Sequence, residues 1–161
     1  MTDQLISNFK LTEEQCAQWE SDGYLIVRGL FDSHQVEQLK QTMQNIADKG
    51  EAVPGWQPLI DVKQYDTEVV GVDQLGDVLK RYPRFLHPHR YLDLPREMML
   101  DPRVHDVLLQ ITGEEPVACQ SMYYFKPCGA KGQALHQDNL YLQVEPNTCY
   151  AAWTAIDPVT P

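Results

Sequence analysis

The chain has 161 residues, of which 43% are hydrophobic and 22% charged, and its formal net charge is −10. These values suit a single soluble globular domain with its own core, and they argue against disorder. A surface that acidic repels nucleic acid and anionic lipid, and the sequence has neither a long apolar run nor an N-terminal signal pattern, so we expect a cytoplasmic protein without nucleic-acid or membrane partners.

Two helices with a strand between them are predicted at the start of the chain. Thr12 can cap the first helix with Gln15 as its capping-box partner, and Gly23 suits the left-handed conformation that ends a helix. The apolar run 24–27 predicts a buried strand, and Ser33 is the expected cap of the second helix. The apolar positions of that helix recur at helical spacing and are expected in the core: Val36, Leu39, Met43 and Ile46.

The middle of the chain contains a broken stretch followed by a third helix. Residues 50–76 carry several prolines and glycines, which indicates an irregular loop with short elements. Asp101 and Pro102 are the expected cap and first residue of a helix that ends at Gly113. Its predicted apolar face consists of Val104, Val107, Leu108 and Ile111.

The last third of the chain is rich in residues that favour strands. Stretches 117–126, 140–144 and 148–156 are predicted as three strands, which begin a sheet without completing it. We therefore expect a helical support region over residues 1–115 and the first strands of a β core over residues 116–161.

The four cysteines are widely spaced and include no Cys-x-x-Cys pair. A disulfide scaffold or a structural zinc site would show closer spacing, so reduced, mostly packed thiols are expected. The residues concerned are Cys16, Cys119, Cys128 and Cys149.

His136 and Asp138 form a His-x-Asp motif. On an extended chain these two side chains point to the same face and can present a nitrogen and an oxygen to one metal ion. A 2-His-1-carboxylate site uses such a pair and leaves three positions on iron(II) open. Taken alone, the motif is more often a hydrogen-bonding surface pair than a metal site.

Four further segments occur in order around this motif: DGYLIVRGLF at 22–31, DPRV at 101–104, FKP at 125–127 and AAWTAID at 151–157. Together with HQD at 136–138 they resemble the N-terminal part of the phytanoyl-CoA dioxygenase family, and the likeness runs through nearly the whole chain.

The resemblance implies a mostly β fold with N-terminal helices, namely a cupin-like double-stranded β-helix, or jelly roll, that is incomplete here. It also implies an oxygenase that uses Fe(II), 2-oxoglutarate and O₂, hydroxylates a small organic or acyl substrate, and releases succinate and CO₂. Related halogenases replace the carboxylate with a small residue, so the presence of Asp138 favours hydroxylation.

By match to the family motif, His136 and Asp138 are the expected iron ligands. Residues expected near the cofactor are Met122, Tyr124, Lys126 and Trp153, for which core packing, or a solvated strand end for Lys126, is the alternative. Expected substrate contacts are Gln120, Gln137 and Asn139. Two further histidines, His87 and His89, line the pocket on one interpretation and lie in an exposed loop on the other.

Beyond the His-x-Asp motif, the sequence departs from the family pattern. No histidine follows His136 and no arginine follows Arg103, whereas the family places a second iron-binding histidine and a basic 2-oxoglutarate contact on later strands. We expect the chain to be a segment of a longer protein. Two alternatives stay open: a non-catalytic binding module, and a divalent-metal hydrolase or lyase on the same barrel. The sequence leaves the substrate and the oligomeric state open.

Overall fold

The computed structural model describes residues 8–49, 53–55, 59–63, 66–69, 84–125, 135–146 and 148–159. The chain divides into two compact units, Met1–Phe125 and Lys126–Pro161. Each unit is described by itself below.

The first helix, α1 (Glu13–Asp22), begins and ends as the sequence predicts. The Thr12 hydroxyl accepts a hydrogen bond from the Gln15 backbone N–H at 3.2 Å, and the Gln15 side chain accepts one from the Thr12 N–H at 2.9 Å. At the other end Gly23 has φ +72°, where a side chain is strained, and its N–H bonds the Trp19 carbonyl. The capping box and the glycine therefore fix both ends of this helix locally.

The second helix, α2 (Ser33–Lys49), provides much of the core of the first unit. Leu39, Met43 and Ile46 are buried, with Met43 completely inaccessible, and Val36 is half-buried. The helix begins one residue earlier than predicted, because Asp32 rather than Ser33 is its cap. The Asp32 carboxylate accepts from the Gln35 N–H at 2.8 Å, and Gln35 accepts from the Asp32 N–H at 3.2 Å.

The predicted buried strand at 24–27 is wrong. These residues have no regular secondary structure, and Tyr24 and Ile26 are more than half exposed. A strand needs a neighbour for its backbone donors and acceptors. No described strand pairs with this segment, so its apolar composition alone does not make it a strand.

Two short antiparallel pairs are the only sheets among the described residues. Strand β1 (Leu59–Lys63) pairs with β2 (Asp66–Val69), in the region predicted as irregular loop with short elements. Strand β3 (Arg84–Leu86) pairs with β4 (Met122–Tyr124), which places the buried Phe85 opposite Tyr123. A 3₁₀ helix (Pro88–Arg90) and helix α3 (Asp93–Met99) follow β3.

The helix predicted between Asp101 and Gly113 is confirmed and is α4 (Pro102–Thr112). The Asp101 carboxylate accepts from the Arg103 N–H at 2.9 Å, and Gly113 ends the helix with φ +71°. All four predicted apolar positions are half-buried: Val104, Val107, Leu108 and Ile111. The helix also holds the residues just before α1, because the Gln110 amide donates to the Phe9 carbonyl at 2.9 Å and accepts from the Leu11 N–H at 3.1 Å.

Arg103 joins α4 to the residues just before α2. Its guanidinium donates to Asp101 at 2.7 Å, to the Leu30 carbonyl, and to Gln35 at 3.3 Å. It also lies 5.1 Å from the centre of the Phe31 ring, within reach of a cation–π interaction. One planar side chain with five donors thus connects segments about seventy positions apart in sequence.

The second unit corrects the predicted fold class. Residues 140–144, predicted as a strand, belong largely to a short helix, α5 (Asn139–Leu142), and the described residues of 148–156 form no strand. Across the described part of the chain, five α-helices outweigh four strands of three to five residues, so the described residues are not mostly β and show no jelly roll. The physical reason is the lack of pairing neighbours: the N–H groups of Leu140, Tyr141 and Leu142 bond the Gln137 and Asp138 carbonyls just before α5, which requires no neighbouring strand.

Among the described helices, none combines the length and the apolar character needed to cross a bilayer.

Candidate functional site

His136 and Asp138 lie together in the second unit, as predicted. The His136 Nε2 and Asp138 Oδ1 atoms are 3.1 Å apart, and the side chains keep 31% and 51% of their accessible surface. This distance suits a hydrogen bond. It also suits neighbouring ligands of one ion, because donors about 2.1 Å from an octahedral centre lie about 3 Å apart.

The local backbone differs from the extended chain that the prediction assumed. Asp138 has helical angles, φ −56° and ψ −40°, and its carbonyl accepts from the N–H groups of Tyr141 and Leu142. Its side chain makes no hydrogen bond to the helix end, although aspartate at this position commonly does. The turn into α5, rather than strand alternation, therefore leaves this carboxylate beside His136.

The pair lies in an open pocket of about 470 Å³ whose described lining belongs to the second unit. Gln137 and Asn139, the predicted substrate contacts next to the motif, line it as well. The Asn139 side-chain oxygen is engaged by the Val144 N–H at 2.7 Å, which holds the turn after α5. The Tyr141 ring meets the His136 ring edge-on, with 6.3 Å between their centres.

Three predicted residues lie in the first unit. Met122 and Tyr124 are on β4, and the Tyr124 hydroxyl is 3.5 Å from the Met122 sulfur, so they share a face as strand alternation predicted. Gln120 is half-buried just before this strand. Lys126 lies outside the described residues. Their roles toward a cofactor or substrate stay predictions.

Trp153, predicted to wall the cofactor pocket, does not line the pocket that holds the pair, and 73% of its surface is exposed. The two residues that do line it from this stretch are Cys149 and Ala151, neither of which was predicted as a site residue. Spacing by two positions does not distinguish them, because Trp153 shares this spacing with 149 and 151 and does not line the pocket. Trp153 was predicted from its match to the family motif, which does not single out the two smaller residues.

His87 and His89 are half-buried in the first unit, so neither is a fully exposed loop histidine. His87 has φ +54°, and its buried Nδ1 has no hydrogen-bond partner within the described structure. His89 Nδ1 lies 2.6 Å from the Ser121 hydroxyl. The pKa of His87 is lowered mainly by burial and also by the positive charge of Arg90. The pKa of His89 is lowered mainly by burial, then by His87 and by Arg90.

No group of three or more metal-binding side chains occurs among the described residues. The second unit therefore offers two donors, one nitrogen and one oxygen, at a separation that one ion can bridge.

Comparison with known proteins identifies the relatives of this chain. The model of the family described as phytanoyl-CoA dioxygenase matches residues 19–161. Phytanoyl-CoA dioxygenase 1 of Oryza sativa subsp. japonica is 22% identical, with 93% of this chain and 60% of the relative covered. A phytanoyl-CoA dioxygenase domain-containing protein 1 homolog of Dictyostelium discoideum is 24% identical, with 94% and 61% covered.

A 2-aminoethylphosphonate dioxygenase from an uncultured bacterium, HF130_AEPn_1, is 24% identical over 79% of this chain and 44% of its own length. The chain thus spans about 60% of the length of the first curated relatives it matches. No solved structure gives a significant match. Two of the relatives above are named as dioxygenases. Since the family model covers most of the sequence, the chain belongs to the phytanoyl-CoA dioxygenase family.

Proposed function

We propose that this chain is part of an Fe(II)- and 2-oxoglutarate-dependent dioxygenase that hydroxylates a small organic or acyl substrate, with His136 and Asp138 as two of the iron ligands. The observation that carries the proposal is the 3.1 Å separation of a histidine nitrogen and a carboxylate oxygen in an open pocket. Membership in the phytanoyl-CoA dioxygenase family and similarity to two proteins named as dioxygenases support it.

The donor set fits iron(II). Imidazole nitrogen and carboxylate oxygen are the two donor types of the 2-His-1-carboxylate site, which leaves positions for a co-substrate and O₂. When bound, the iron supplies O₂ activation coupled to decarboxylation of 2-oxoglutarate into succinate and CO₂.

The chain's own residues hold and orient such a site. Asp138 would offer a carboxylate oxygen to a divalent cation, and the turn into α5 places this oxygen 3.1 Å from the His136 Nε2 atom. The Tyr141 ring packs edge-on beside the His136 imidazole on one side of the pair. Gln137 and Asn139 place amide groups at the pocket, where they can hydrogen-bond a polar substrate.

The test is succinate formation from 2-oxoglutarate by the full-length protein with Fe(II), ascorbate and O₂. We expect turnover by the wild type, stimulated by a suitable substrate, and turnover close to background for His136→Ala and Asp138→Ala, because each variant removes an iron ligand. Metal binding is measured separately by calorimetric titration with Mn(II), which reports on the two ligands without any reaction.

His34→Ala is the matched control, since His34 is exposed at the start of α2 in the first unit. It should bind Mn(II) and form succinate like the wild type. Wild-type Mn(II) affinity in both His136→Ala and Asp138→Ala would refute the assignment of the ligands. Mn(II) binding without succinate formation for any candidate substrate would favour the binding-module alternative.

A further inference from the structure

Two small side chains from a later segment of the chain, Cys149 and Ala151, also line the pocket that contains the His136–Asp138 pair. Both lie beyond α5, in a stretch without regular secondary structure. Cys149 is half-buried, and Ala151 is exposed to the open pocket. Among the described residues, no third metal-binding side chain forms a cluster with the pair.

We propose that Cys149 and Ala151 set the size of the ligand that can lie beside the His136–Asp138 pair, so that added bulk at either position excludes the co-substrate while leaving the metal ligands intact. The inference rests on the proposed function, because it takes the pair to be the metal site. Beyond the proposed function, the inference names the two side chains that limit the size of a ligand able to reach the metal.

Side-chain volume is the physical basis of this inference. Donor groups such as Gln137 and Asn139 can hold a ligand, but the space left for it depends on the residues that line the rest of the pocket. Ala151 contributes a single methyl group and Cys149 a single sulfur beyond its β-carbon. A leucine at either position would occupy space that the ligand needs, and a ligand forced against it would bind less tightly.

The adjacent alanines provide a matched test. Ala151 lines the pocket, whereas Ala152, which is also exposed, does not. In the full-length protein, Mn(II) is titrated first and 2-oxoglutarate is then titrated into the Mn(II) complex. We expect Ala151→Leu to retain Mn(II) affinity within about twofold of wild type and to weaken 2-oxoglutarate binding about tenfold or more.

Ala152→Leu should bind both Mn(II) and 2-oxoglutarate like the wild type. Equal 2-oxoglutarate affinity in Ala151→Leu and Ala152→Leu, with Mn(II) bound normally, would overturn the size-limiting role and leave the proposed function standing. Loss of Mn(II) affinity in Ala151→Leu alone would also overturn it, because bulk would then act on the metal. A wild type that does not bind Mn(II) would refute the proposed function and this inference together.

A second measurement avoids any folding defect of the leucine variants. Cys149 of the wild type is alkylated with iodoacetamide, and the extent is followed by peptide mass spectrometry, with the exposed Cys16 and Cys119 as internal references. Mn(II) with 2-oxoglutarate should slow alkylation of Cys149 several-fold and leave the two reference cysteines unchanged. Equal alkylation of Cys149 with and without these ligands would show that the thiol does not face the bound ligand.

Discussion

The two units of the molecule differ in how their side chains are packed. In the first unit, Leu39, Met43, Ile46, Val53 and Phe85 are buried and make a core. In the second unit, none of the described residues is buried, and large apolar side chains such as Leu140 and Trp153 are mostly exposed. The first unit therefore holds most of the packing energy of this chain, whereas the second holds the candidate chemistry.

This difference explains why longer helices form in the first unit, whereas the described residues of the second unit form only the short helix α5. Helices α2 and α4 bury or half-bury an apolar face, and burial of that face stabilises them. Among the described residues, the apolar side chains after position 147 are not buried against other elements. This segment therefore forms no strand, although its composition favours one.

The largest expected effect tests the packing difference directly. Met43→Ala should lower the free energy of unfolding by about 3 kcal/mol, because it removes a fully buried side chain and leaves a cavity. Leu140→Ala, at a position 73% exposed, should change it by less than about 0.5 kcal/mol. Urea unfolding followed by circular dichroism measures both. Equal losses would contradict the contrast between the units.

A smaller effect is expected at the Arg103 connection within the first unit. Arg103→Ala should cost about 2 kcal/mol, because it leaves the Leu30 carbonyl and the Asp101 carboxylate without a charged donor. Arg103→Lys keeps the charge but loses the planar fork, so it should recover only part of the loss. If Arg103→Lys matched the wild type in urea unfolding, charge alone would account for the contribution.

The half-buried histidines of the first unit should make its stability fall in acid. Because the pKa values of His87 and His89 are lowered in the folded state, the unfolded state binds more protons, and stability declines as the pH falls through the unfolded value of about 6.5. The double variant His87→Asn, His89→Gln should flatten the decline between pH 7 and pH 5. Asparagine tolerates the left-handed backbone at position 87. An unchanged slope in thermal unfolding would rule out these two groups as its source.

The smallest expected effect has the opposite sign. A hydrogen bond to Glu115, and then one to Asp106, raises the pKa of His105, so its contribution is complete below the unfolded pKa and is lost as the pH rises through the folded value. Because Glu115 is exposed and His105 is only half-buried, solvent screening should keep this contribution below about 0.5 kcal/mol. His105→Gln should lower the melting temperature at pH 5 and leave it unchanged at pH 8. A loss equal at both pH values would mean that packing, not charge, is involved.

Local signals in the sequence predicted helices α1, α2 and α4 and the His-x-Asp motif, but not helices α3 and α5. The ends of α1 and α4 are fixed by hydrogen bonds within a few residues, and these ends were predictable for that reason. The residues that fix them are Thr12 with Gln15, Asp101 with Pro102, Gly23 and Gly113. The helical spacing of Leu39, Met43 and Ile46 likewise predicted the face that is buried. The His136–Asp138 pair was predictable because its two members are two positions apart.

Only the tertiary structure decided which apolar segments became strands and which small residues line the pocket. Strand formation at 24–27, 140–144 and 148–156 depends on a pairing neighbour, which local composition does not specify, and so the mostly β prediction was wrong. The direction of Asp138 came from the turn into α5 rather than from an extended chain. Cys149 and Ala151 lie at least eleven positions beyond Asp138, and their place in the pocket depends on how the chain returns to it.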